Sequence, residues 1–112
     1  MGQINIKLTS AAPVTVDAKT WPVIASAKWW DGQHECQANR TRRVTVRQHE
    51  DGRSVVYGWH TSAWPGERGA EAGYLVAADG DLIAAIRTVG EEIGDTDLAR
   101  ECIQDLPRVE LV

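Results

Sequence analysis

The run Arg42 to Thr61, with Asp51-Gly52 near its centre, constrains the fold more than any other stretch of the chain. Alternating residues flank an Asp-Gly pair, which is the pair favoured in a type I′ hairpin turn because both central positions need positive φ. Pairing outward from that turn sets Gln48 opposite Val55, Val46 opposite Tyr57 and Val44 opposite Trp59, with Arg47 facing Val56 and Arg43 facing His60. The expected hairpin has an apolar face of Val44, Val46, Tyr57 and Trp59. Its other face is cationic and carries Arg43, Thr45, Arg47 and His60. In this register Val46 is core and Thr45 is surface.

The neighbouring segments extend the sheet. Ile4, Ile6 and Leu8 alternate with polar residues, the pattern of a half-buried strand, and Val14 and Val16 suit a short strand or an extended connection. A clearer strand opens at Trp21-Pro22 and runs to Trp30, where Asp31-Gly32 predicts a second hairpin pairing Trp30 with Gln33, Lys28 with Glu35 and Ala27 with Cys36. Parity then holds from His34 to Gln48, too long for one straight strand at roughly 3.3 Å per residue. A bend is expected near Asn39 to Arg42, since Arg40 and Arg42 would otherwise point into the core. Ser62 to Gly73 reads as a loop rich in Gly, and Tyr74 to Ala77 as a short closing strand. Asp79 or Asp81 can cap a helix burying Leu82, Ile83, Ile86, Val89 and Ile93 and ending at Gly94. A second helix starts at Asp95 or Thr96, buries Leu98, Cys102, Ile103 and Leu106, and stops at Pro107. The expectation is an α+β fold: an antiparallel β-meander of about four to five strands with two C-terminal helices packed on one face.

The 112 residues fit a single domain, 1–112, with one modest core and no need of metal or disulfide. No apolar run approaches the roughly 18 residues of a membrane span, and the N-terminus alternates where a signal peptide would be continuously apolar. The expected compartment is the cytoplasm. Cys36 and Cys102 form no paired motif, so two free, buried thiols are expected. Charge is unevenly distributed: residues 1–70 hold nine Lys or Arg against six Asp or Glu, and residues 71–112 hold three against ten. The net charge of −4 argues against unspecific duplex binding, which depends on neutralising phosphates.

Catalytic and metal patterns are weak. His34 and Cys36 share a strand face, but a zinc site needs about four ligands and no such spacing occurs. Cys36 or Ser62 would need a histidine base, and His49 and His60 are expected on the opposite sheet face from Cys36. No nucleotide-binding or nucleophile-elbow motif is present. The expectation is a non-enzymatic protein with no cofactor and no metal.

Three surfaces remain as candidates for binding. Trp64, in the predicted loop with Pro65 and Arg68, suits an interface anchor as well as a lid folded over the core. The carboxylates Glu91, Glu92, Asp95, Asp97 and Glu101 gather around the junction of the helices and could engage a basic partner. Arg43 and Arg47, with His60 and Trp30, form an arginine-rich sheet face of the kind that stacks single-stranded RNA.

Trp21-Pro22-Val23-Ile24-Ala25 with Trp29, then Gln37-Ala38-Asn39-Arg40, Val46-Arg47-Gln48-His49, Asp51-Gly52-Arg53 and Val56-Tyr57-Gly58, resembles small uncharacterised proteins of bacterial plasmids, integrative elements and prophages. The resemblance spans most of the chain and brings no catalytic residue. It implies an accessory protein or an inhibitor of host defence, anti-CRISPR proteins among them. On this reading Trp64, Arg68 and the acidic helix junction contact a protein partner, a host nucleoprotein complex. The alternative is a module for single-stranded RNA or other nucleic acid using Trp30, Arg43, Arg47 and His60.

Overall fold

The computed structural model describes residues 2–30, 40–62 and 69–107. Its strands are β1 (Gln3–Ile6), β2 (Val14–Asp17), β3 (Val23–Trp30), β4 (Arg40–Gln48), β5 (Ser54–Ser62) and β6 (Ala70–Val76), followed by helices α1 (Leu82–Ile93) and α2 (Thr96–Asp105). β1 and β2 form a two-stranded antiparallel sheet, and β3 to β6 form a four-stranded antiparallel meander in chain order. The fold is α+β, with both helices on one face of the meander.

The hairpin at Asp51-Gly52 exists, but its register differs by one residue from the expected one. Gln48 pairs with Ser54, Val46 with Val56, Val44 with Gly58 and Arg43 with Trp59. The turn explains the shift. Gly52 donates its N–H to the His49 carbonyl at 2.9 Å, His49 donates to the Arg53 carbonyl at 2.8 Å, and only Gly52 has positive φ, at 97°. This is a three-residue loop, a type I turn closed by a left-handed glycine, and not a two-residue type I′ turn. Asp51 accepts the Arg53 N–H at 3.0 Å, and that bond holds its carboxyl below the usual range.

A one-residue slip transfers every side chain of a strand to the other face. Val56 and Gly58 therefore lie on the helix side with Val44 and Val46, while Val55, Tyr57 and Trp59 lie on the far side. Thr45, expected on the surface, is only 3% exposed. The helix-side face is built from small residues: Ala25, Ala27, Gly58 and Ala72 surround Val44, Val46 and Val56. A Cβ on Gly58 would come within 2.8 Å of Val89 Cγ1 on α1 and 2.7 Å of the Arg43 carbonyl oxygen. The helix thus seats directly on the sheet backbone.

β3 also pairs elsewhere than expected. Ala27 faces Val44, Lys28 faces Arg43 and Trp30 faces Thr41, so Lys28 does not meet Glu35, nor Ala27 Cys36. Residues 31–39, including His34 and Cys36, lie outside the described residues. The expected bend at Asn39 to Arg42 is absent over the described part, because β4 keeps regular register with β5 from Arg40 onward. Arg42 stays on the helix side, where its guanidinium lies 4.6 Å from the Trp29 ring centroid and Nη1 lies 3.2 Å from Asp95 Oδ2. A charge with those partners can be held at the end of a core. The irregularity lies instead in β3, between Val23 and Ala25.

The helices agree with their sequence signals. Asp81 caps α1 by accepting the Ala84 N–H at 3.0 Å, and Gly94 ends it in the left-handed region. Ile86, Val89 and Ile93 are buried as expected, but Ile83 is exposed. Asp95 caps α2 through the Leu98 N–H, and Leu98 and Cys102 enter the core. β6 begins at Ala70, four residues before the predicted closing strand, so the expected loop is shorter than twelve residues.

The far side of the meander is half covered. Ile6, Leu8 and Val16 form a second buried cluster with Val55, flanked by Ile4, Val14, Trp21 and Tyr57. The chain leaving β1 is tied to β6 by Thr9 N–H to the Gly73 carbonyl at 2.9 Å and Gly73 N–H to Thr9 Oγ1 at 3.0 Å. At the opposite edge, Ser26 N–H donates to Asp105 Oδ2 at 2.9 Å. Each bond occupies an edge group that would otherwise invite pairing with another chain.

Candidate functional site

Beyond the reach of β1 and β2, the register aligns Lys28, Arg43, Trp59 and Glu71 in one row across all four strands of the far face. Three strand spacings of roughly 4.8 Å make the row about 14 Å long. Lys28, Arg43 and Glu71 are exposed and Trp59 is half-buried. Thr41 and Thr61, paired with each other, form the next row outward. The Arg43 guanidinium carbon lies 5.9 Å from the Trp59 ring centroid, and Tyr57 stacks beside Trp59 at 6.5 Å with an interplanar angle of 20°. A shallow cleft of about 480 Å³ at the β5–β6 end of this row is lined by Trp59, Thr61 and Glu71 and, from the other side of the sheet, by His60 and Ala70. Glu71 is engaged by Lys7 Nζ at 3.3 Å.

Lys28 stands directly opposite Arg43. Like charges at directly paired positions of an antiparallel sheet destabilise it, so the fold tolerates a local cost at a row that β1 and β2 do not cover.

The sequence-predicted residues separate into distinct places. Arg43 is on this face. Arg47 is on it too, but half-buried: Nε donates to the Tyr57 hydroxyl at 2.9 Å and Nη1 to the Trp21 carbonyl at 3.0 Å, which ties the β1–β2 layer to the meander. His60 is not on this face. The corrected register pairs it with Arg42 on the helix side, and its Nε2 is buried with no hydrogen-bond partner among the described residues. Trp30 ends β3 opposite Thr41, and its side chain lies outside what is described. Trp64 and Arg68 also lie outside the described residues. Lys28 and Trp59 escape sequence reasoning as site residues: a two-residue turn at Asp51-Gly52 puts Trp59 in the core, and a hairpin at Asp31-Gly32 gives Lys28 Glu35 as partner.

The five carboxylates at the helix junction do not converge. Asp95 is committed to the fold, with Oδ1 taking the Leu98 N–H at 2.9 Å and Oδ2 taking Arg42. Glu92 accepts the Tyr74 hydroxyl at 2.6 Å, and burial together with this carboxylate raises the Tyr74 pKa. Asp97 lies 3.5 Å from Arg100 on the exposed side of α2, and Glu101 is exposed. Glu91 lines a groove of about 390 Å³ between the helices with Arg87, Arg100 and Ile103.

Cys102 is fully buried, and burial, reinforced by Asp105, pushes its thiol up to about 12. A thiol so held supplies no thiolate near neutrality. Among the described residues no group of three His, Cys, Asp or Glu could hold a metal ion, and no helix is long and apolar enough to cross a membrane. Compared with known proteins, the chain matches no family model, no curated protein and no solved structure.

Proposed function

We propose that this chain is a non-enzymatic interaction protein, an inhibitor or accessory protein of a mobile element that engages a host nucleoprotein complex in the cytoplasm. The observation that carries the reading is the row of the far face beyond β1 and β2, where Lys28 opposes Arg43 beside Trp59 and both cations are exposed. Arginine and tryptophan are the residues that most often dominate interface energetics. Two cations held face to face favour an anionic partner, because its charge relieves their repulsion. The inhibitory half of the reading rests on the sequence resemblance alone.

The test is affinity capture from bacterial cells with the tagged chain, with partners identified by mass spectrometry. One nucleoprotein is expected to be enriched by the native chain and lost with a Lys28→Glu, Arg43→Glu double reversal whose melting temperature does not fall. Retained capture by that variant, or no enriched nucleoprotein, refutes the reading. Capture lost instead with Glu91→Lys and Glu101→Lys moves the contact to the helix layer, where those two carboxylates are exposed.

A further inference from the structure

Resting on that reading, we infer that the far face of the meander takes single-stranded nucleic acid, the base stacking at Trp59 and the phosphates meeting Arg43 and Lys28. Charge divides the two layers. Helices and connections from Asp79 to Pro107 hold eight carboxylates and two arginines, so the helix layer repels a polyanion. The row on the opposite layer attracts one. Arg43 and Lys28 sit on adjacent strands roughly 4.8 Å apart, a spacing that two cations keep at a cost and that intervening phosphate oxygens would offset.

Aromatic geometry decides between strand types. A duplex hides its bases within the stack, and a half-buried indole on a flat sheet cannot reach them. An unpaired base offers a π-face to any aromatic platform, and such stacking tolerates sequence variation. Trp59 is such a platform: Tyr57 supports one flank, the Arg43 guanidinium lies over the ring at 5.9 Å and gives up that place to the base as it turns to a phosphate, and the cleft toward Thr61 adjoins it. Thr41 and Thr61 place two hydroxyls on the next row, where a sugar or phosphate would pass. Glu71 ends the row as a carboxylate engaged by Lys7, which limits the footprint on the β6 side. The row accommodates about two or three nucleotides, as sheet platforms of this kind do.

Fluorescence anisotropy of labelled oligo(U), oligo(dT) and a duplex of the same length, each about a dozen nucleotides, tests this on the full chain. Both single strands should bind, more tightly than the duplex, and the two arms separate RNA from DNA. With two phosphate contacts, affinity should fall about sevenfold between roughly 50 and 200 mM salt. Arg43→Ala should reduce the salt slope by about 0.7. Trp59→Ala should weaken binding by between about fivefold and a hundredfold with the slope unchanged, and Trp59→Phe should restore most of the loss. Absence of binding at the lower salt refutes the inference, as does a duplex bound equally well or affinity indifferent to both Arg43 and Trp59. If a nucleoprotein is still captured while both single strands fail to bind, the face contacts the protein component, and only this inference falls.

Discussion

Cys102 shows how a single side chain reports on the core. It faces the helix-side cluster with no exposed surface, and the cost of placing a thiolate there is what raises its pKa. In the native protein, labelling of Cys102 by a thiol reagent, followed by peptide mapping, should be slow until denaturant is added. The same shift dictates an alkaline effect. Below pH 9.0 the thiol is neutral folded and unfolded; as pH rises from there to about 12 only the unfolded chain ionises, so stability is lost across that window. Thermal melts at rising pH should therefore fall more steeply for the native chain than for Cys102→Ala, and parallel curves would contradict the burial. Its burial was legible in the sequence from helical spacing with Leu98. The position of Trp59 was not, because it depends on a turn whose third residue the Asp-Gly pair does not reveal.

Helix ends are encoded within a few residues, and both helices began and ended where their signals placed them. Asp95 is informative because it serves two elements, capping α2 and receiving Arg42 from β4. Asp95→Asn keeps an N-cap side chain but removes the charge partner, and it should cost about 1 kcal/mol. Asp95→Ala removes both and should cost about 2 kcal/mol or more. Urea denaturation of the two variants checks the order. Equal losses would mean that the cap contributes nothing beyond the ion pair. Strand pairing was less legible than helix boundaries. The expected Lys28–Glu35 contact satisfied cross-strand charge preference, yet β3 pairs from Thr41 onward, where Lys28 meets Arg43. A local preference for opposite charges was overridden by the apolar match of Ala25 and Ala27 with Val46 and Val44 beneath the helices.

The meander is a middle layer, covered on one side by two helices and on half of the other by β1 and β2. Adjacent residues Val55 and Val56 are consequently both fully buried, in different clusters on opposite faces. A sheet covered on one face would bury only one of them. Val55→Asp and Val56→Asp should each cost several kcal/mol, since each places a charge in an apolar cluster without a partner. Chemical denaturation compares them. A near-neutral Val55→Asp would show that the β1–β2 layer does not seal the far face and would enlarge the open surface assigned to ligand.

Local chemistry by itself determined the α+β order, the two helices with their Asp and Gly caps, the hairpin at Asp51-Gly52 and the burial of Val44, Val46 and Cys102. These are written in periodicity and in caps that act over one turn. Tertiary structure alone decided which face of β5 meets the helices. Val55, Tyr57 and Trp59 look like the core face by hydrophobicity, but α1 can approach only over a surface as low as Gly58 and Ala72, as α2 does over the alanines of β3. Close packing of a helix selects for shape as much as for apolar area. That choice sends Trp59 to the far face beside Arg43 and Lys28, and so places the candidate site where no local pattern could announce it.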